Sequence, residues 1–232
     1  MKVFGYTRKK AFNHVDVTHE PETVLTFCNA FQNTPPDSLI CIDECAFYVG
    51  EQGKVGWAPK GRRLIVKASR TLRRTKYTLV MAISASGIVH HEILDHNCKK
   101  VDFIGFIERM NAPTGSTLLM DNIAFHHSKE TKNAVALKGW TQLFIPPYSP
   151  RVNPIENVFG VIKRKYRSLC TKLISPQSAQ QCKEMFEGVL EQIGFLHPYF
   201  RHVSVFVAKT ILDGGIGFSG YDDGSFVRVI VV

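Results

Sequence analysis

Apolar positions along the chain fall into two kinds of segment. Short, nearly unbroken runs occur at Leu39-Ile40-Cys41-Ile42, at Thr117-Leu118-Leu119-Met120 and at Leu143-Phe144-Ile145. Runs this short predict buried strands, and a strand apolar on both faces lies centrally in a sheet with helices above and below. Residues 77–83 and 88–94 flank Ser84-Ala85-Ser86-Gly87, a hairpin signal with a short loop. Elsewhere apolar residues recur at three- and four-residue intervals, which predicts helices. One carries Val24, Leu25, Phe27, Cys28 and Phe31, and one spans 101–111. A third occupies 129–137 behind Ser128, a residue able to cap it. A fourth starts at Asn153-Pro154, as cap and first helical residue, and buries Ile155, Val158, Phe159, Ile162 and Tyr166. A fifth begins at Ser175-Pro176 and runs through Met185, Phe186, Val189, Leu190 and Ile193. Pro146-Pro147-Tyr148-Ser149-Pro150 interrupts regular structure, because three prolines fix φ and withhold three amide donors.

Three segments resist this reading. Residues 1–18 are a basic lead-in with Arg8-Lys9-Lys10, and residues 196–232 form an extension with no assignable structure. Residues 46–75 read as an excursion from the core: glycines punctuate it, and Trp57 stands among Lys60, Arg62 and Arg63. Such a basic hairpin with an aromatic tip suits a clamp on a DNA backbone, though a solvated loop whose Trp folds back is the rival. The main domain is then 19–195.

Bulk properties narrow the class. In 232 residues, 29 basic groups against 20 acidic ones leave a formal charge of +9, which favours a polyanionic partner, nucleic acid before membrane. No apolar run approaches the roughly 18 residues of a membrane span, and the N-terminal residues show no signal-peptide core. Six scattered cysteines without a CxxC pair read as free thiols in a reducing compartment, hence an intracellular protein.

The chemistry sits at element boundaries. Strand 39–42 runs into Asp43-Glu44, strand 117–120 into Asp121-Asn122, and Glu156 falls in the first turn of the helix that begins at Pro154. If the two strands are neighbours, both aspartates emerge at one sheet edge and the helix lays Glu156 across it. Singly, each acid has a commoner use: Asp43 as a turn acid, Glu156 closing an Asn153-x-x-Glu156 capping box. Three carboxylates together repel one another unless a cation joins them, and oxygen ligands suit Mg2+ or Mn2+. Two such ions about 4 Å apart activate a water or a 3′-hydroxyl and stabilise the leaving oxygen of a phosphodiester. Lys163, Arg164, Lys165 and Arg167, behind Glu156 on the same helix, would help hold the DNA. His90-His91 could ligate a metal, but strand histidines without a matching partner favour a structural role.

CIDECAF, LLMDNIAFHH and PPYSPRVNPIENVFGVIKRKYR resemble the three catalytic blocks of DDE transposases of the mariner-like and bacterial insertion-sequence superfamily. The 34 residues from 122 to 155 that separate Asp121 from Glu156 match the spacing of one major branch, and the block from Trp57 to Gly61 resembles the segment after the first Asp there. The resemblance covers roughly residues 20 to 170. It implies an α/β, ribonuclease H-like mixed sheet, with antiparallel hairpin strands extended by parallel strands and flanked by helices. It implies two Mg2+ or Mn2+ ions, with Asp43 bridging and Asp121 and Glu156 each completing one site. Asn122 and His126 match supporting positions. The implied reaction is metal-dependent cleavage of double-stranded DNA at transposon ends, then transfer of the 3′-hydroxyl into target DNA, by a homodimer acting in the nucleus or nucleoid. The helix-turn-helix region that usually precedes this domain has no counterpart here. Two rivals remain: a retired transposase that only binds DNA or a partner, and a ribonuclease H-like nuclease that cuts without joining.

Overall fold

The computed structural model describes residues 21–49, 51, 75–147, 149–172 and 178–213. Its strands are β1 (Leu39–Tyr48), β2 (Lys76–Ser84), β3 (Gly87–Leu94), β4 (Thr117–Met120) and β5 (Thr141–Phe144). Its helices are α1 (Pro21–Asn33), α2 (Lys100–Arg109), α3 (Lys129–Leu137), α4 (Pro154–Lys172), α5 (Ala179–Glu191) and α6 (His197–Leu212). The strands form one sheet in the order β3-β2-β1-β4-β5. β1, β2 and β3 pair antiparallel, whereas β4 and β5 add in parallel. This is the mixed, helix-flanked, ribonuclease H-like sheet that the resemblance implied.

Strand alternation divides the core into two layers. Leu39, Cys41, Cys45 and Phe47 of β1 face one side, packed with α1, α4, α5 and α6. Ile40 and Ile42 face the other, with Phe103, Phe106 and Ile107 of α2 and Val135 of α3. The predicted stripe of α4 is buried in full, from Ile155 to Tyr166, and burying each large side chain contributes about 1.5–3 kcal/mol. Phe47 stacks on Phe186 at 3.6 Å between ring centroids, and Tyr166 meets both rings edge-on while its hydroxyl donates to the Tyr48 carbonyl. Gly139 ends α3 with φ +70, and a Cβ there would lie 2.7 Å from Thr114 Cγ2, so both backbone and space demand glycine.

Several expectations are corrected. β1 does not stop at Ile42. Its antiparallel pairing with β2 continues from Cys41 to Tyr48, so residues 46–48 belong to the sheet and not to the excursion. β5 begins at Thr141, where a hydroxyl-to-hydroxyl contact with Thr117 of 3.0 Å joins it to β4, and Ile145 follows the strand. Pro150 opens a short 3₁₀ turn instead of continuing irregular chain. α5 starts behind Ser178, not Ser175, because Ser178 and Gln181 form a reciprocal capping box. Residues 197–212 are no appendage: α6 packs on α1 and α4 and buries Phe200, Val203 and Val207 in the main core. All six cysteines are free.

Candidate active site

Asp43 sits inside β1, not at its end, yet it still marks an edge. The parallel pairing of β1 with β4 runs Leu39 to Thr117, Ile40 to Leu118 and Cys41 to Leu119. Continuing that register two steps sets Asp43 beside Asp121, the first residue past β4. Asp43 shares the strand face of Cys41 and Cys45, the side on which α4 packs. Glu156 lies in the first turn of that helix. Three separate segments therefore bring their acids within electrostatic range of one another.

Asp43 is held at both oxygens. Its Oδ1 accepts from the Glu44 amide at 2.7 Å, and its Oδ2 accepts from Asn153 Nδ2 at 3.3 Å. Asn153 also caps α4, its Oδ1 accepting from the Ile155 amide at 3.4 Å. One buried asparagine thus ties the helix start to the strand. Its own amide donates to the Pro150 carbonyl at 3.0 Å, which leaves Glu156 no capping-box duty. Burial pushes the Asp43 carboxyl up to about 8, and repulsion from Glu44, Glu156 and Asp121 adds to it against the Glu44 amide bond. Glu156 is an exposed residue whose carboxyl is partly shielded. That shielding raises its pKa, Lys163 two turns along pulls it back, and Asp121 raises it further.

Asp121 has a histidine behind it. His126 is fully buried, with Nδ1 2.9 Å from Asp121 Oδ1 and 3.2 Å from the Asp121 carbonyl. Its Nε2 faces Glu44 Oε1 at 3.7 Å. Burial acts first and pulls the imidazole down, but the neighbouring carboxylates of Asp121 and Glu44 outweigh it and hold the ring up to about 9. Asn122 is exposed, its side-chain oxygen bonded to His127, whose ring stacks on Phe144. His90 is engaged by Glu92, which Arg109 grips with two nitrogens at 2.8 Å, so it serves structure.

Among the described residues, no three His, Cys, Asp or Glu side chains are assembled to hold a metal ion as they stand. Of the expected DNA contacts, Arg164 and Lys165 are exposed, Lys163 is half-buried within electrostatic range of Glu156, and Arg167 is bonded to Glu51 at 2.8 Å and 2.5 Å. Trp57, Lys60, Arg62 and Arg63 lie outside the described residues. The sequence alone did not disclose the contact of Glu44 with His126 or that of Asn153 with Asp43. For Glu44 a signal existed: in a strand the residue after Asp43 must face the opposite layer, where an acid needs a partner.

A family model described as DDE superfamily endonuclease matches residues 38–174. No curated protein matches the chain. The Mos1 transposase paired-end complex with left transposon end superposes with a TM-score of 0.68 at 15% identity, over 91% of this chain and 68% of that one. The Mos1 strand transfer complex does so at 0.70 and 14%, over 90% and 66%. The catalytic domain of Mos1 mariner transposase alone does so at 0.59 and 14%, over 89% and 100%. At these identities the likeness is one of fold, and the chain spans about two thirds of the longer Mos1 chains.

Proposed function

The chain belongs to the DDE superfamily endonucleases, and from that premise we propose that it is a transposase catalytic domain. It cuts DNA at transposon ends and joins the freed 3′-hydroxyl to target DNA. Asp43, Asp121 and Glu156 are its catalytic carboxylates. One observation carries the assignment: the register of β1 with β4 and the first turn of α4 set Asp43, Asp121 and Glu156 at one sheet edge, where Glu156 and Asp121 add to burial and to Glu44 in pushing the Asp43 carboxyl up to about 8. Building such repulsion into a fold is costly unless a cation relieves it.

The donor set fits Mg2+ or Mn2+, because it is all oxygen and each ion needs only one or two protein carboxylates beside water and phosphate. Asp43, Asp121 and Glu156 would together hold two such ions. Bound there, the ions supply an activated oxygen nucleophile and a stabilised leaving oxygen. The protein supplies position. Asn153 and the Glu44 amide orient Asp43, and the helix cap keeps Glu156 at the sheet edge. Both reactions are in-line phosphoryl transfers. First a water oxygen bonds to phosphorus as the bond to the 3′-oxygen breaks. Then that 3′-oxygen bonds to a target phosphorus and displaces another 3′-oxygen.

Exposed Arg164 and Lys165 fit a role in gripping double-stranded DNA, as does the segment carrying Trp57, Lys60, Arg62 and Arg63. A homodimer pairing two ends, acting where the cell keeps its DNA, completes the reading. No helix among the described residues is long and apolar enough to cross a membrane. The test is calorimetric titration of Mn2+ into wild type and Asp43→Ala, with nicking of supercoiled DNA assayed alongside. Binding and nicking should both vanish in the variant; if either persists, the three-carboxylate assignment fails. A strand-transfer assay then separates joining from cutting alone.

A further inference from the structure

Glu44 points away from Asp43, into the layer where Ile40, Ile42, Phe103 and Leu118 pack. A carboxylate entering such a layer costs free energy unless something answers it. What answers it is His126, whose place is set by Phe103 and Phe125, with ring centroids 4.2 Å and 4.6 Å from its own. One edge of the imidazole meets Asp121 and the opposite edge meets Glu44. Glu44 Oε1, His126 Nε2 and Asp121 Oδ1 are all buried, and none has a hydrogen-bond partner. The Thr78 hydroxyl, equally unpartnered, and the Cys98 thiol border the same cleft of about 270 Å³ on the Glu44 side. Three unsatisfied atoms in a row, crossing from one sheet face to the next strand end, need a common reason.

We propose that Glu44 is a positioning residue for Asp121, acting through His126. Its carboxylate sets the rotation of the buried imidazole, whose Nδ1 edge then lies against the Asp121 carbonyl at 3.2 Å and one Asp121 carboxylate oxygen at 2.9 Å. The Asp121 side chain is 39% exposed, so its other oxygen stays available at the active-site edge. The Asp-Glu pair in β1 thus divides one task between two faces: Asp43 acts directly, and Glu44 fixes a second acid from behind. The inference rests on the proposed role of Asp121 in holding a divalent ion.

Mn2+ affinity of the full chain, measured by calorimetry after metal removal, tests it. Glu44→Ala should weaken binding about tenfold, the usual scale for a partner behind a metal ligand. Glu44→Gln, which keeps an oxygen within reach of Nε2, should recover to within about threefold. Glu44→Asp, which keeps the charge but loses the reach, should bind more weakly than the Gln variant. His126→Ala combined with Glu44→Ala should be no weaker than His126→Ala alone. The Gln-against-Asp comparison decides the matter even if the Ala variant does not fold, which a metal-free thermal melt reveals. Wild-type affinity in Glu44→Ala, or in Glu44→Asp with loss in Glu44→Gln, overturns the relay while Asp43→Ala still abolishes binding. Unchanged binding in Asp43→Ala overturns the metal site and the relay with it.

Discussion

Replacing Asp43 by Asn should stabilise the metal-free protein while removing its chemistry. The Asp43 carboxyl is displaced from an ordinary 3.8 to about 8, chiefly by burial and then by Glu44, Glu156 and Asp121. At about 1.4 kcal/mol per pH unit, that displacement caps the cost of carrying the charge at ~6 kcal/mol. The side chain is only partly buried and its surroundings relax, so roughly half of that is realised. Asn can still accept from the Glu44 amide, but its nitrogen would face Asn153 Nδ2, donor against donor, at a cost of ~1 kcal/mol. The net expectation is ~2 kcal/mol of added stability where the wild-type carboxyl would be ionised. The sign follows from proton binding. The folded protein holds this proton more tightly than the unfolded chain does. The Asp43 contribution to wild-type stability is therefore greatest below about pH 4, falls as pH rises, and levels off above about pH 8. Asn has no proton to lose. Urea unfolding of both proteins in EDTA should show the variant ahead by ~2 kcal/mol near pH 8, with no such advantage near pH 4. His126 titrates in both proteins, so the difference between them isolates Asp43. An equal difference at the two pH values, or a variant destabilised at both, refutes the reasoning that this buried edge disfavours the Asp43 charge.

Other perturbations test the scaffold and the DNA face. Phe47→Ala removes a fully buried ring stacked on Phe186 and should lower unfolding stability by about 3–5 kcal/mol in a denaturant titration. Gly139→Ala forces a positive φ on alanine and a clash with Thr114, and should lose ~2 kcal/mol, read as a drop in thermal midpoint. Arg164→Ala and Lys165→Ala should each reduce the salt dependence of DNA binding by about one unit of log–log slope in fluorescence anisotropy. Arg167→Ala should leave that slope alone and cost under ~1 kcal/mol of stability, since its guanidinium is paired with Glu51.

What was legible in the sequence was local. The period-3.6 stripe of α4, the Ser128 cap of α3 (its oxygen accepting from the Thr131 amide), the β2–β3 hairpin and the limits of β4 all follow from neighbouring residues, and all appear as read. Asp121 at a strand end and Glu156 in a helix's first turn belong to the same class. Each position depends on side chains a few residues away, whose propensities and caps act within one element. What depended on distant chain was not legible. β1 extends through Asp43 to Tyr48 only because β2, beyond a long intervening segment, supplies hydrogen bonds along that length. α6 belongs to the core because α1, from the other end of the described chain, offers it an apolar face. Asn153 read as a helix cap and became also the tether of Asp43. Glu44 read as a neighbour of the catalytic acid and proved to face the opposite layer, toward His126. Local propensity selects the kind of element. Pairing, burial and the charges that meet across a sheet edge are contacts between segments far apart in sequence, so only the assembled tertiary structure decides them.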